Sequence, residues 1–347
     1  MNYTKEYINS CIIEDKKKEV CAVSEQTFSS SSSLTTYKKV VDISKNHKIY
    51  GLSKNDYLEV EEKIRKQNCF LNFNYIYDKI SGTQIPLKDL VISANHNSNR
   101  YYALIQNRIN TLTIEAKEKN LFPIFMTLTL PSEFHKMKID KKTKALIENP
   151  KYNQVSPKEA VKHLTKMFSK LRHDRSLKEL SKDERIYFRV NEPHKNGTPH
   201  THVLLFVPKS SINRVVTAFK RLFDNKANDI QTNIENATSY IMKYINKTLP
   251  LSKKENLSTK EKYLNAWYCK HRIIRFNCSR TLAPLSLYRL LHEKFNLKEL
   301  TSLVKKKSLS IFVLQTNRDK IMEIFNGDEL IYQRSENYTL RNGLLDF

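Results

Sequence analysis

Two alternating segments joined by a short turn constrain the fold of this chain more than any other feature. The segments "RIYFRVNE" (Arg185–Glu192) and "HTHVLLFV" (His200–Val207) have the pattern of β-strands. Between them, Lys195-Asn196-Gly197 is typical of a tight turn. Because a connection this short joins antiparallel strands, the sequence predicts a β-hairpin.

A third strand is predicted upstream of the hairpin, at "FPIFMTLTLP" (Phe122–Pro131). Alternation places Ile124, Met126, Leu128 and Leu130 on one face and Phe125, Thr127 and Thr129 on the other. Helices are predicted at 56–66, over the segment from Ser98 that ends before Pro123, and at 212–223 and 235–247. Strands interrupted by helices indicate an α+β fold with an antiparallel sheet.

Two further segments have local signals of their own. Ser156-Pro157-Lys158-Glu159 forms a capping box, which predicts a helix with Val161, Leu164, Phe168 and Leu171 on one side. Near the C-terminus, "SLSIFVLQTNRDKIMEIF" is interpreted as a strand followed by a helix, without residues that suggest chemistry.

The charge balance favours a polyanionic partner. Lys and Arg number 60 against 36 Asp and Glu, for a formal net charge of +24. Such an excess attracts nucleic acid first and anionic membranes second. No run of 18 apolar residues and no apolar N-terminal region is present, so neither a transmembrane span nor a secretory signal is expected.

The positions of the cysteines and glycines argue against two further classes of nucleic-acid-binding protein. The five cysteines contain no CxxC pair, which favours free thiols in a reducing cytoplasm and argues against a zinc finger. None of the five glycines lies in a phosphate-binding P-loop, so no nucleotide cofactor and no ATP-driven motor is expected.

Two histidines share one face of the second hairpin strand. His200 and His202 alternate with Thr201, Val203, Leu205 and Val207, whose face is predicted to pack in the core. Glu192 ends the preceding strand, and the hairpin brings it near the pair. Two imidazoles and a carboxylate make a three-ligand metal site with open positions. The alternative is a chance pair of exposed histidines.

Two tyrosines share one face of a predicted helix. In "SYIMKYINK", Tyr240 and Tyr244 are four residues apart, with Lys243 and Lys247 bordering the same face. A phenol becomes a nucleophile when a neighbouring ammonium or a metal-bound substrate stabilises its charge. The alternative is an amphipathic helix whose tyrosines simply pack on the sheet.

Three segments resemble the motifs of the phage replication gene A protein family, which belongs to the HUH endonucleases. They are "IFMTLTLPSEFH", "EPHKNGTPHTHVLLF" and "ATSYIMKYINKT", in the family's order, and "AWYCKHRIIRF" resembles a segment that follows the tyrosine helix. The likeness spans roughly Ser98 to Leu291. One departure is Thr201, where the family usually has a bulky hydrophobic residue.

The resemblance implies a ferredoxin-like HUH endonuclease domain, with a central antiparallel sheet, helices on one side, the histidine strand in the middle and the tyrosine helix against the site. It implies that His200 and His202 bind Mg²⁺ or Mn²⁺, with Glu192 as third ligand and His194 as the alternative. It further implies that Tyr240 or Tyr244 attacks the scissile phosphate, with Lys243 stabilising the developing charge.

DNA contacts are expected around these groups. Lys247, Arg272 and Arg275 are candidate phosphate ligands, as are Lys270 and Arg280. Thr127 and Thr129 are interpreted equally as DNA-positioning or as structural residues. Trp267 is expected to pack in the core, with stacking on a base as the alternative.

The resulting hypothesis is a replication initiator that nicks single-stranded DNA at an origin and starts rolling-circle replication in the cytoplasm of a bacterial host, with host helicase and polymerase as partners. The alternatives are a two-tyrosine transposase or mobilisation relaxase, and a non-catalytic single-strand-binding protein. Four regions are expected: a flexible arm at 1–45, a helical region at 46–120, the endonuclease core at 121–250 and a basic helical or mixed region at 251–347.

Overall fold

The computed structural model describes residues 48–139, 146–249, 256–315 and 320–343. The flexible arm predicted at 1–45 lies outside the described residues. Contacts divide the described chain into two compact units, one containing 53–91 and 337–343, the other 48–52 and 92–336. The division into four regions that the sequence suggested is not tested by these contacts. It stays a prediction.

The helices and strands are numbered here in chain order. The helices are α1 (Lys54–Phe73), α2 (Leu87–Leu90), α3 (Ser98–Glu118), α4 (Pro157–His173), α5 (Arg175–Lys178), α6 (Ile212–Leu222), α7 (Ala237–Thr248), α8 (Thr259–His271), α9 (Leu285–Leu291) and α10 (Leu297–Lys306). The strands are β1 (Asn74–Asp78), β2 (Gln84–Pro86), β3 (Leu121–Thr129), β4 (Met137–Ile139), β5 (Leu146–Glu148), β6 (Ile186–Pro193), β7 (Pro199–Pro208), β8 (Asp229–Gln231), β9 (Phe276–Cys278), β10 (Leu309–Leu314), β11 (Lys320–Asn326), β12 (Glu329–Gln333) and β13 (Tyr338–Asn342).

The smaller unit combines α1 with a three-stranded antiparallel sheet of order β13-β1-β2. A capping box between Ser53 and Asp56 begins α1. The helix continues to Phe73, beyond the predicted end at 66, because no glycine or proline interrupts the apolar positions that follow. It buries Val60 and Leu71.

The larger unit contains a five-stranded antiparallel sheet of order β8-β3-β7-β6-β9. The predicted hairpin is confirmed: β6 pairs with β7, and Glu192 lies opposite His200. Two backbone hydrogen bonds close the turn, from His194 N–H to Thr198 O and from Gly197 N–H to His194 O. The histidine strand β7 is the central strand, as expected, and the fold is a mixed α+β arrangement.

Helices cover both faces of this sheet. On one face, Phe125, Phe188, Val190 and Leu204 pack with residues of α3 and α7. On the other face, Ile124, Met126, Val203 and Leu205 pack with residues of α4 and α6. The expectation of helices on one side is therefore wrong, because both alternating sets of β3 and β7 side chains are apolar enough to bury a helix layer.

The predicted capping box of α4 is confirmed, with Ser156 and Glu159 exchanging hydrogen bonds. The helix buries Ala160, Leu164, Phe168 and Leu171. The first buried residue is thus Ala160, whereas the sequence predicted Val161, which is only half-buried.

The hairpin turn is held from two sides. Gly197 has φ +89°, and a Cβ on it would lie 2.3 Å from the backbone oxygen of Tyr50, so only glycine fits. Trp267 Nε1 donates to Gly197 O over 3.0 Å, and the indole is fully buried. The core-packing interpretation of Trp267 is confirmed, and base stacking is excluded for a buried ring.

A further antiparallel sheet of order β10-β11-β12 follows α10. The helix predicted in this region is wrong: its residues form β11, which pairs on both sides and buries Ile324. The two-residue turn Gly327-Asp328, which joins β11 to β12, and the β-forming residues Ile321, Ile324 and Phe325 explain the strand. Among the described residues, no helix combines the length and apolarity needed to cross a membrane.

Candidate active site

Three ligand-type side chains converge at the turn end of the hairpin. His200 and His202 project from β7, and Glu192 projects from the paired position on β6. The two Nε2 atoms are 3.0 Å apart, and Glu192 Oε2 lies 3.8 Å from each. All three residues are buried, Glu192 to 1% exposure. This burial contradicts the alternative of an exposed histidine pair.

The donor set fits a divalent cation. Burial, and then the nearby Lys247 ammonium, lowers the pKa of His202 to about 3. Burial, and then His202, lowers the pKa of His200 well below its usual value. Both imidazoles are therefore neutral and present nitrogen lone pairs. Glu192 Oε1 is buried without a hydrogen-bond partner in the described structure, so the cluster has unused ligand capacity.

His194, the alternative third ligand, lies beside this cluster but outside it. Among the described residues, Glu192, His200 and His202 form the one group of three or more ligand-type residues whose ligand atoms lie within 4.8 Å of one another. The His194 ring instead stacks on His200 with centroids 4.2 Å apart. Burial, and then His135, lowers the pKa of His194 to about 4, so its ring is neutral as well.

The threonines of β3 lie opposite the histidines of β7. Thr127 pairs with His202, and its Oγ1 lies 3.1 Å from His202 Nδ1. Thr129 pairs with His200, and its backbone N–H donates to Asn228 Oδ1 over 2.7 Å. Thr127 therefore holds the ring nitrogen that faces away from the cluster, which fixes the orientation of the imidazole.

Both predicted tyrosines lie on α7 against the same face of the sheet. The Tyr244 ring lies 4.0 Å from the His202 ring, and the Tyr240 ring packs edge-on to Phe125 at 4.5 Å. The two tyrosine rings are 6.0 Å apart, and the Tyr240 hydroxyl donates to Gln231 Oε1. Burial, and then Tyr240, raises the pKa of Tyr244, which keeps this phenol protonated.

The two lysines of the tyrosine helix differ in their surroundings. Lys247, predicted as a DNA contact, places its Nζ 2.6 Å from Glu192 Oε2 while its side chain stays 59% exposed. Burial raises the pKa of Glu192, and Lys247 opposes that shift. Lys243 is exposed, and its ammonium makes no ion pair with a carboxylate of the described residues. The sequence placed both lysines on the helix face but missed the contact with Glu192.

The basic segment after α8 divides into an exposed and a buried part. Arg272 is exposed at the end of α8 with φ +52°, and is accessible to a partner. Arg275, predicted as a phosphate ligand, is buried, donates to Asn265 Oδ1 and lies 4.2 Å over the Tyr268 ring. The structure gives Arg275 internal partners in place of a phosphate, because the alternation of "RIIRF" turns it towards the core while Ile274 faces solvent.

The fold and these contacts define an α+β protein with a buried two-histidine, one-carboxylate cluster beside a helix that carries two tyrosines. The chain belongs to the bacteriophage replication gene A protein (GPA) family, whose sequence model matches residues 3–251. The predicted resemblance is thereby confirmed.

Three relatives illustrate the match. The "Replication protein" of Haemophilus phage HP1 is 31% identical over 184 residues, covering 48% of this chain and 22% of the relative. The "Replication gene A protein" of Escherichia phage 186 is 29% identical, covering 60% and 31%. A "Probable replication endonuclease" of Salmonella typhi is 26% identical, covering 62% and 28%. The matched part is thus between about a fifth and a third of each relative. No solved structure matches significantly.

Proposed function

We propose that this chain is a replication initiator of ferredoxin-like HUH type, which nicks single-stranded DNA at an origin through a tyrosyl intermediate and starts rolling-circle replication. The observation that carries the proposal is the contact between Tyr244 and His202, which puts a nucleophile next to a candidate metal centre. Membership of the replication gene A family and the net charge of +24 support a DNA substrate.

Glu192, His200 and His202 would hold Mg²⁺ or Mn²⁺. When bound, such a cation supplies Lewis-acid polarisation of a non-bridging oxygen of the scissile phosphate. The role of the chain's own residues is to keep both imidazoles neutral and oriented. Burial keeps them neutral, and Thr127 and His194 hold the two rings in place.

The proposed step exchanges one phosphodiester for another. The Tyr244 oxygen forms a bond to phosphorus, and the bond from phosphorus to the 3′-oxygen breaks. The phenol gives up one proton and the departing 3′-oxygen gains one, so the products are a free 3′-hydroxyl and a 5′-phosphotyrosyl bond. Because the ester is exchanged and not hydrolysed, rejoining needs no nucleotide cofactor.

Tyr240 is the second nucleophile in this proposal. It lies one helical turn from Tyr244 on the same face, with ring centroids 6.0 Å apart. A second tyrosine can cut a regenerated origin while the first still holds the old end. The exposed side chains of Lys243 and Arg272 are available to contact phosphates. A host helicase would separate the strands, and a host polymerase would extend the free 3′-end.

The test is a search for the covalent adduct. End-labelled single-stranded oligonucleotides that tile the genome encoding the chain are incubated with protein and Mn²⁺, then separated by denaturing electrophoresis. The expected result is a protein band that carries the 3′-label, and a shorter free fragment that carries the 5′-label.

Two variants make this result specific. The double variant Tyr240→Phe, Tyr244→Phe should bind DNA and give no adduct. His202→Ala should also give none, with DNA binding mostly retained because binding depends on charge. Adduct from the double variant would refute the tyrosyl mechanism. Absence of adduct with every oligonucleotide, despite tight DNA binding, would favour a non-catalytic single-strand-binding protein.

A further inference from the structure

A cleft with a volume of about 590 Å³ lies along the edge strand β9. Its walls come from segments that are distant in sequence: Arg108 of α3, Lys182 before β6, Cys278 and Arg280 around β9, and Lys305 of α10. None of the candidate active-site residues lines it. It is therefore a separate feature of the larger unit.

The lining is strongly cationic. Arg108, Lys182, Arg280 and Lys305 face one carboxylate of the lining, that of Asp183. Lys305 is engaged by Glu115 at 3.0 Å and by Asp183 at 3.4 Å. The other three cations form no ion pair with a carboxylate in the described parts of the chain. The cleft thus carries about three uncompensated positive charges, which favour an anionic occupant.

One nitrogen atom of Arg108 also lacks a hydrogen-bond partner. Its Nη1 is buried and has no hydrogen-bond partner among the described residues, while Nη2 contacts only the Cys278 sulfur at 3.6 Å. A buried guanidinium N–H without an acceptor is costly. Because Nη1 is closed off from the cleft, Arg108 contributes positive charge to the cleft wall and not a ready N–H donor.

The cleft lies along β9, and β9 pairs with β6, the strand that carries Glu192. Cys278 lies opposite Phe188 on β6, and Glu192 lies four residues further along the same strand. At roughly 3.3 Å per residue, the separation along β6 is roughly 13 Å. One single strand of nucleic acid can bridge such a distance.

We propose that this cleft binds backbone phosphates of single-stranded DNA at a distance from the scissile phosphate. This inference rests on the proposed function, and adds a second binding site for the same substrate. The shared chemistry is that of phosphate, which a free mononucleotide or inorganic phosphate also offers. A DNA strand is favoured because the cations come from four separate segments and the cleft is larger than one phosphate requires.

Cys278 reports occupancy of the cleft directly. The protein used is the Tyr240→Phe, Tyr244→Phe variant in chelator, so that binding is measured without cleavage. A small thiol reagent is added, and the labelling rates of Cys278 and of the half-buried control Cys69 are followed by peptide mass spectrometry. A single strand of about 16 nucleotides at four times its Kd should slow Cys278 about fivefold and leave Cys69 unchanged.

The same measurement with inorganic phosphate and with a mononucleotide distinguishes the sources. If these small ligands protect Cys278 only weakly at the same phosphate concentration, the result supports a DNA strand as the occupant. Protection equal to that by the oligonucleotide would overturn the proposal in favour of a small phosphate ligand. An unchanged Cys278 rate under saturating DNA would overturn the site itself.

Charge reversal gives an independent test. Lys182→Glu with Arg280→Glu removes two exposed cleft cations, and Lys162→Glu with Lys166→Glu on α4 makes the same change in net charge elsewhere. Only the cleft variant should lower the slope of log affinity against log salt, by about 1.4, since each single-strand phosphate contact contributes about 0.7. Equal slopes in both variants would contradict the proposal. Adduct formation by the unmodified protein tests the proposed function separately.

Discussion

The ammonium of Lys247 lies 2.6 Å from Glu192 Oε2, so an exposed lysine neutralises the buried carboxylate of the candidate metal centre. Glu192 Oε2 is also the oxygen that lies 3.8 Å from both histidine Nε2 atoms. A cation held by these three residues would therefore compete with Lys247 for one carboxylate oxygen. Lysine and metal are therefore competitors for Oε2, whereas Oε1 of Glu192 has no partner in the described structure.

Lys247→Met should destabilise the metal-free protein and strengthen its response to metal. Loss of a charged hydrogen bond to a buried carboxylate costs about 1–2 kcal/mol when the lysine is largely exposed. Without the competing ammonium, Mn²⁺ should then raise the melting temperature more than in the unmodified protein. Thermal unfolding in chelator and in Mn²⁺ measures both effects.

Lys260→Met is the matched control, since Lys260 is exposed on α8 and lies outside the cluster. It should leave both melting temperatures unchanged. If Lys247→Met has the same melting temperature in chelator as this control, the ion pair between Lys247 and Glu192 does not stabilise the protein.

Thr127→Val should weaken metal binding without unfolding the protein. Valine keeps the shape of threonine but cannot bond His202 Nδ1, so the imidazole loses its orienting partner. Loss of a hydrogen-bond partner that orients a metal-binding histidine typically weakens metal affinity by about 10-fold or more. Calorimetric titration with Mn²⁺ measures the Kd, and Thr127→Ser, which keeps the hydroxyl, should restore it. Equal affinities for the valine and serine variants would refute the role of the hydroxyl.

The two tyrosines should be separable by single replacements with phenylalanine. Each single variant should retain some covalent adduct, and Tyr240→Phe should retain more, because Tyr244 is the tyrosine that contacts His202. Closed circular products need two transfers, so both single variants should lose most of them. Gel analysis of adducts and circles measures the two outcomes. Normal circle formation by Tyr240→Phe would make Tyr240 a packing residue.

Gly197→Ala should destabilise the protein far more than Gly327→Ala. Both glycines have positive φ, of +89° and +60°, so both variants pay a backbone cost of about 1–2 kcal/mol. At Gly197 the added Cβ also meets Tyr50 O at 2.3 Å, whereas nothing lies within 4 Å at Gly327. Denaturant unfolding measures the difference. Equal losses would show that the Tyr50 segment moves aside freely.

Alternating patterns predicted the parts of the fold that depend on local sequence. The faces of β3 and β7 followed from period two, and the position of Glu192 near the histidine pair followed from the short turn. The apolar spacing of "KIMEIFN" suggested a helix, and that prediction overlooked the Gly327-Asp328 turn, which favours a hairpin strand. The second helix layer was missed because amphipathic helices do not reveal which face of a sheet they cover.

The contacts that depend on tertiary structure were not predictable in the same way. The bond between Thr127 and His202 joins strands that are 75 residues apart in sequence, and that between Lys247 and Glu192 joins residues 55 apart. Arg275 carries the same charge as Arg272, yet one is buried on Tyr268 and the other is exposed. Charge in a sequence indicates a partner but does not identify it.

The close approach of Tyr50 to Gly197 has a consequence for strand register. Neighbouring residues of β7 face opposite layers, so a slip of β7 by one residue would turn both imidazoles into the α4 and α6 layer and bring Thr201 to the face of the candidate metal site. Such a slip must lengthen or shorten the turn, where Gly197 is enclosed by the Tyr50 backbone and bonded to Trp267. The turn therefore fixes the register of β7 relative to β6.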